Sequence, residues 1–302
     1  MSQITKNILM VKPSSFYYNF ETASDNFFQK IEVNASEHQI QSSALDEFNN
    51  MCTILRSNGI NVIVMENEKE KKLYDDIFPN NWISFHGDEY IIFSMYAKSR
   101  RLEKNKKFIK KLKDMGLKYS LREDYSKFEN KNIFLEGTGS VVLDRINKVA
   151  YCSKSKRSSQ QLFNIFCQDI GYNPIIFSSY DSNDGVIYHT NVMMSMGDDF
   201  VLICFESIKD INERELVKKS LEKSGKNIVE ISLPQVESFL GNIIQLGDKQ
   251  NKIIVISKSA YLSLTENQKD ILSTKSKIIV IPIPTIQRCG GGSVRCMIAE
   301  LI

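Results

Sequence analysis

A chain of 302 residues with 42% hydrophobic side chains can bury a sizeable core, and only six prolines and fourteen glycines argue against long linkers or disorder. Its 39 basic and 36 acidic groups nearly cancel, leaving +3, so its net field draws neither a nucleic acid nor a membrane surface. The six cysteines are scattered without a Cys-x-x-Cys pair, no leader-like basic-then-apolar pattern opens the chain, and no apolar run reaches membrane-spanning length; a soluble cytoplasmic protein is expected.

Asn7–Val11 reads as a strand that ends before Pro13. Ser36 is a candidate N-cap and Gly59 a candidate stop for an amphipathic helix, because Ile40, Ala44, Phe48, Met51 and Leu55 recur at three and four residues. Ile60–Met65 is a strand, and Asn80-Asn-Trp82 is a polar turn before the extended stretch that includes Tyr90–Met95. The basic segment 98–113 is expected to form one helix with Leu102, Phe108, Ile109 and Leu112 on its apolar side and its lysines in solvent. The pattern of hairpin, helix and extended stretch then recurs, with hairpins near 140–152, 192–205 and 243–256 and helices at about 158, 209 and 264. The five helices start 62, 60, 51 and 55 residues apart, a spacing that signals a repeat architecture. The first unit lacks its own hairpin, and the segment Cys296–Ile302 can supply the missing strand if the chain closes into a ring.

Each hairpin is entered through a polar or glycine-containing turn. Taking one polar residue from each gives Asn81, Glu136, His189, Asn242 and Cys296, separated by 55, 53, 53 and 54 residues. Equivalent positions in five pseudo-symmetric units converge on one axis, and a thiol, an imidazole and a carboxylate meeting there make an active-site composition. Cys296 follows Gly290-Gly-Gly-Ser-Val-Arg295, where glycines allow close backbone approach and a neighbouring guanidinium favours a reactive thiol; taken alone, it reads more readily as a small buried hydrophobe. Of the three histidines, His38 is expected in solvent on the first helix and His86 exposed in a turn, whereas His189 stands at a strand entrance. Glu136 follows the apolar run Ile133-Phe-Leu135 and needs a buried partner, with His189 a candidate. No glycine motif opens a helix as phosphate binding requires, and no His-Glu-x-x-His or paired-cysteine spacing indicates a metal; no cofactor is expected.

Asn19-Phe-Glu-Thr22 with Asp25-Asn26, Pro79-Asn-Asn-Trp82, Arg100-Arg101-x-Glu103, Leu135-Glu-Gly-Thr-Gly-Ser140, His189-Thr-Asn191, Gly241-Asn242 and Gly290-Gly-Gly-Ser-Val-Arg-Cys-Met297 together resemble the amidinotransferase, or guanidino-group-modifying, superfamily, and within it the citrulline-utilisation hydrolases. The superfamily also holds arginine deiminase and dimethylarginine dimethylaminohydrolase. The resemblance spans Met10 to Glu300. It implies an α/β fold of five pseudo-symmetric blades, the pentein propeller, as one domain over residues 1–302. It also implies Cys296 as nucleophile, His189 as general acid and base, and Glu136 as the orienting carboxylate.

The guanidine-processing members place an aspartate where this chain has Asn81, and often another where it has Asn191. An aspartate pair suits a cationic group that offers only donors; asparagine offers a donor and an acceptor and suits a neutral ureido group. Citrulline is therefore the expected substrate, hydrolysed to ornithine and carbamate through an S-carbamoyl cysteine. The oxyanion would be held by backbone N–H groups of the glycine turn or by Asn191. Arg295 or Arg288 is expected to bind the substrate carboxylate or support a thiolate at Cys296, Gln29 and Asn26 to reach the amino-acid end, and Asn242 to join Asn81 and Asn191 in substrate binding. A deiminase or dimethylarginine hydrolase acting on a guanidine is one alternative, and a non-catalytic small-molecule binding protein of the same fold is another. A homo-oligomer is compatible with the sequence.

Overall fold

The computed structural model describes residues 2–68 and 72–302. The first unit contains β1 (Asn7–Lys12), α1 (Glu37–Ser57) and β2 (Asn61–Glu66); the second contains β3 (Ile83–His86), β4 (Glu89–Ile92), α2 (Lys107–Asp114) and β5 (Ser120–Asp124). The third runs β6 (Val141–Asp144), β7 (Val149–Ser153), α3 (Gln160–Ile170) and β8 (Asn173–Phe177). The fourth runs β9 (Met194–Met196), β10 (Phe200–Ile203), α4 (Ile211–Lys223) and β11 (Asn227–Glu230). The fifth runs β12 (Ile244–Gly247), β13 (Lys252–Ser257), α5 (Glu266–Ser273) and β14 (Lys277–Ile281), and β15 (Ala299–Glu300) ends the chain.

Each complete unit pairs its first two strands antiparallel and returns a third strand parallel to the second after a helix. The connection explains the geometry, since a tight turn serves an antiparallel pair but a parallel neighbour needs a crossover. The first sheet is assembled from both ends of the chain, in the order β15-β1-β2: Ile8 lies opposite Glu300 and Leu9 opposite Ala299. The C-terminal segment thus supplies the strand missing from the first unit, as the sequence suggests.

The apolar core follows the ring. Leu9 and Val11 pack with Trp82, Ile83 and Phe85 between units one and two. Ile91 and Phe93 pack with Leu143 and Ala150 between two and three. Val142 and Tyr151 join Met194, Val201 and Ile254, linking units three to five. Ile8, Met10 and α1 pack with Ile244, Val255 and Ile281, closing five onto one. The fold is the five-bladed α/β propeller, the pentein fold. On α1, Ile40, Ala44, Phe48, Met51, Cys52 and Leu55 are buried, and Ser36 and Gln39 form a reciprocal capping box at its start.

Two local expectations fail. The segment 98–113 is two helices, Lys98–Arg101 and α2, and Leu102 is 63% exposed rather than on the apolar side. Arg100 and Glu103 turn inward as a buried ion pair, and the chain between the two helices follows them. His86 is buried on β3, not exposed, with Nε2 2.8 Å from Ser84 Oγ. Burial, aided by the charges of Arg145 and Arg122, pushes its pKa down to about 3.

The unfolded chain binds a proton at this imidazole below its ordinary value of 6.5, whereas the folded chain refuses it until about 3. Stability therefore falls as pH drops through that window, by about 1.4 kcal/mol per pH unit for this one group. Urea unfolding at pH 6.5, 6.0, 5.5 and 5.0 should show His86→Gln losing that much of the wild-type slope; equal slopes would refute the assignment.

Candidate active site

The five periodic residues stand two to five residues before β3, β6, β9, β12 and β15 in turn. The 3-10 turn Pro79–Asn81 precedes β3, the helical turn Gly137–Ser140 follows Glu136, and the 3-10 turn Thr190–Val192 follows His189. Asn242 precedes β12 and Cys296 precedes β15. All five side chains are buried.

Contacts bring them together. His189 Nε2 lies 2.8 Å from Glu136 Oε2. Asn242 Nδ2 donates to Cys296 Sγ at 3.2 Å and to the Asn191 carbonyl at 3.0 Å, and Asn191 Nδ2 approaches the same sulfur at 3.5 Å. Asn81, His189 and Cys296 line one cavity with Asp75, Arg100 and Arg157. Gly139 is the spacer: a Cβ there would lie 2.3 Å from Asn81 Nδ2 and 2.9 Å from His189 Nδ1, so the two side chains meet over a residue that must have none.

Two arginines absent from the sequence-derived set organise the charges. Arg157 is buried and forms a bidentate pair with Asp25, lies 4.8 Å over the Tyr188 ring, and places Nη1 3.6 Å from Glu136 Oε2. Burial alone would raise the Glu136 pKa; Arg157, the hydrogen bond to His189 and Arg100 override it and hold the carboxyl at about 2. Tyr96 N–H donates to the other oxygen at 2.9 Å. Because an ionised carboxylate only accepts, His189 Nε2 carries the proton and Nδ1 presents a lone pair. Burial is the main cause lowering the His189 pKa, with Arg157 and Arg100 adding to it and Glu136 opposing, so the imidazole is neutral at physiological pH.

Arg100 is satisfied by Glu103, with Nε to Oε1 and Nη2 to Oε2 both at 3.0 Å. Its Nη1 donates to Asn81 Oδ1 at 2.7 Å. A guanidinium cannot accept, so the amide orientation of Asn81 is fixed: Oδ1 faces Arg100 and Nδ2, without a partner among the described residues, remains as a buried donor. Asp75 is held by Asn19 Nδ2 at 2.8 Å and Thr22 Oγ1 at 3.3 Å, while its Oδ1 has no partner among the described residues. Burial raises its pKa against the pull of Arg100.

The remaining sequence candidates divide. Asn26 lines the cavity, and Gln29 lies behind the glycine turn with Nε2 3.3 Å from the Cys289 carbonyl. Gly291, at φ +63°, admits both, since a Cβ there would lie 2.6 Å from each of their side chains. Arg288 is half exposed and paired with Glu32, and Arg295 turns to Glu300 at 2.9 Å beside a different cavity. The structure brings neither arginine to the sulfur's cavity; Arg100 and Arg157 line it instead. Asn191 touches the sulfur but lines that second cavity rather than the first. Arg100 and Glu103 stood in a quoted motif without a role, and Asp75-Asp76 interrupts the apolar run Leu73 to Phe78, a signal that could have exposed it. Nothing local marks Arg157.

A family model described as N,N dimethylarginine dimethylhydrolase, eukaryotic, matches residues 12–302. No curated protein matches the sequence. Among solved structures, the fold is similar to ArgZ, an arginine dihydrolase from cyanobacteria. The substrate-bound N-terminal domain of a cysteine-to-serine variant superposes with a TM-score of 0.75 at 14% identity, covering 98% of this chain and 97% of that one. Unliganded ArgZ gives 0.73 at 15% identity, and the present chain spans only 40% of its length. A Pseudomonas aeruginosa DDAH variant complexed with citrulline gives 0.63 at 13% identity, covering 98% and 99%.

Gly139→Ala should push Asn81 Nδ2 and His189 out of line without opening the core. Turnover of the substrate assigned below is expected to fall at least about 100-fold, because small misplacements in a reacting geometry are costly. The melting temperature should change by only a few degrees. Wild-type turnover in this variant would show that the spacing between these side chains does not matter.

Proposed function

Because the chain belongs to the N,N dimethylarginine dimethylhydrolase, eukaryotic, family, a family of carbon–nitrogen hydrolases in the pentein superfamily, we propose that it is a cysteine-dependent hydrolase whose substrate is citrulline, with ornithine and carbamate as products. The observation that carries the choice of substrate is the orientation of Asn81. Arg100 takes Oδ1, which leaves Nδ2 of this cavity-lining residue as the group for a ligand to meet, a donor without a partner among the described residues. A ureido oxygen accepts from it; a guanidinium has no acceptor and leaves two donors face to face. Asp75 Oδ1 accepts from the side-chain N–H that citrulline and arginine share, and so does not discriminate.

In the proposed reaction, His189 Nδ1 takes the Cys296 thiol proton and the sulfur attacks the ureido carbon. Negative charge gathers on the ureido oxygen, where the Asn81 donor strengthens its bond. The carbon–nitrogen bond to the side chain breaks as His189 returns the proton to the departing amine, giving ornithine and S-carbamoyl Cys296. His189 then takes a proton from water, the hydroxide equivalent attacks the thioester-like carbon, and the sulfur leaves with that proton. One citrulline and one water give one ornithine and one carbamic acid, which decays to carbon dioxide and ammonia. Glu136 holds the imidazole tautomer throughout, and the amides of Asn242 and Asn191 hold the sulfur. The cavity, about 20 Å³, has room for about one water, so an amino acid enters only as the lining moves.

The second reading, a guanidine hydrolase, is favoured by the buried carboxylate of Asp75. Supplying citrulline, arginine and dimethylarginine separately and assaying ornithine, citrulline and ammonia separates the two. Ornithine from citrulline is expected; citrulline formed from arginine, with no ornithine from citrulline, would overturn the assignment. In Asn81→Asp, one oxygen stays with Arg100 and the other turns an acceptor to the cavity. The ratio of kcat/KM for citrulline over arginine should fall by about 10- to 100-fold, the equivalent of one hydrogen bond gained or lost, about 1–3 kcal/mol. An unchanged ratio would remove the donor argument.

A further inference from the structure

A second cavity lies on the axis of the ring, enclosed by β6, β9, β12 and β15, and none of its lining residues lines the candidate active site. Two guanidinium groups, Arg145 and Arg295, and one carboxylate, Glu300, face it. Glu300 Oε2 accepts from Arg295 Nη2 at 2.9 Å and lies 3.6 Å from Arg145 Nη2. Arg295 Nη1 is spent on the Ile298 carbonyl at 3.0 Å. Arg145 also interacts with Tyr172, and it is only 3% exposed. Three buried atoms of the lining have no partner among the described residues: Arg145 Nη1, Ser195 Oγ and Asn191 Oδ1. Gln3 closes one side, with its amide nitrogen donating to the Leu143 and Met196 carbonyls and its oxygen accepting from the Arg145 backbone N–H.

The lining therefore carries one positive charge in excess and an unpaired guanidinium N–H, a costly arrangement inside a protein. Water would satisfy the hydrogen bonds but leave the charge. The volume, about 30 Å³, holds about two water-sized occupants, each needing roughly 10–15 Å³. Arg145 Nη1 and Ser195 Oγ are donors and Asn191 Oδ1 is an acceptor, so an anion fits the first two and a water, donating both ways, joins it to the third.

We propose that the axial cavity binds one small inorganic monoanion of halide size, held by Arg145 and Ser195 and linked through a single water to Asn191. Asn191 Nδ2 lies 3.5 Å from Cys296 Sγ, so the ion sits one side chain behind the sulfur. This site needs no substrate, and its test does not depend on the activity assigned above.

Thermal unfolding of the full chain is to be compared in sodium chloride and sodium gluconate at equal ionic strength. Chloride fits the cavity and gluconate does not. A saturable rise of about 2 °C or more in chloride over gluconate is expected, through binding to the folded state alone. Non-specific salt effects favour gluconate, so the expected sign is opposite to theirs. Arg145→Met and Ser195→Ala should each lose the rise; if Arg145→Met fails to fold, Ser195→Ala carries the comparison. Bromide-grown crystals should show an anomalous peak within hydrogen-bond reach of both residues. Equal melting in the two salts, an undiminished rise in Ser195→Ala, or a cavity without a bromide peak would each overturn the proposal.

Discussion

Two residue pairs between β1 and β15 decide whether the molecule has a site at all. Ile8 opposite Glu300 and Leu9 opposite Ala299 join the ends of the chain, and Cys296 lies only three residues before the strand they define. Until that strand docks, the sulfur is unconnected to Asn242 and Asn191, and the cavity lacks the wall formed by Gly290–Gly292. The pairing is short, but it does not act alone. Ile8 and Met10 share a buried cluster with Ile244, Val255, Ile281, Val294 and Cys296 itself. Apolar burial across the seam supplies stability, and the strand register decides where the thiol stands. A contact between residues nearly three hundred positions apart forms late and at a high loop-closure cost, so assembly of the site is tied to completion of the fold.

Around the cavity the protein buries an unusual amount of charge. Arg100, Glu103, Asp75, Arg157 and Glu136 are all nearly inaccessible, and Asp25 completes the Arg157 pair. Buried ion pairs are weak contributors to net stability, because desolvation consumes most of the attraction. Their value here is geometric. Arg100 presents donors in a rigid fork, and with Glu103 on one edge its Nη1 donates to Asn81. Arg157 does the same for Glu136, which in turn sets the His189 tautomer. Each arginine fixes a side chain that could otherwise point two ways, and the cavity is polarised before any ligand arrives.

The repeat was legible because each unit uses nearly the same length of chain, and the pseudo-symmetric turns preserve the spacing of Asn81, Glu136, His189, Asn242 and Cys296. Hairpins and helix α1 were legible from period and capping. What escaped were contacts between distant segments. Arg157 meets Asp25 across 132 positions, and neither residue looks unusual where it stands. The opposite error arose at Arg295, where adjacency to Cys296 suggested a shared site. In the turn between the glycines and β15 the two side chains diverge, one to Asn242 and the other to Glu300. His86 misled for a related reason: Gly87-Asp88 beside it does mark a turn, but the strand before the turn is buried on both faces.

The comparison of asparagine with aspartate also changes character once the side chains are placed. Read from sequence, Asn81 and Asn191 argue through charge, as two carboxylates missing from a guanidinium site. In space, Asn191 stands behind the sulfur, and Asp75 returns a carboxylate to the cavity, so net charge no longer separates a ureido group from a guanidinium. Direction does. Had Asn81 been free to rotate, its amide could have offered oxygen or nitrogen and accepted either ligand. Because Arg100 holds the oxygen, only the nitrogen is left, and discrimination rests on whether the ligand's central carbon bears an acceptor. An unmatched donor pair in a buried site costs as much as a lost hydrogen bond or more, and no second rotamer of Asn81 relieves it without leaving Arg100 unsatisfied. Selectivity in the proposed function therefore resides as much in Arg100, and in the Glu103 that aims it, as in the asparagine the substrate would touch.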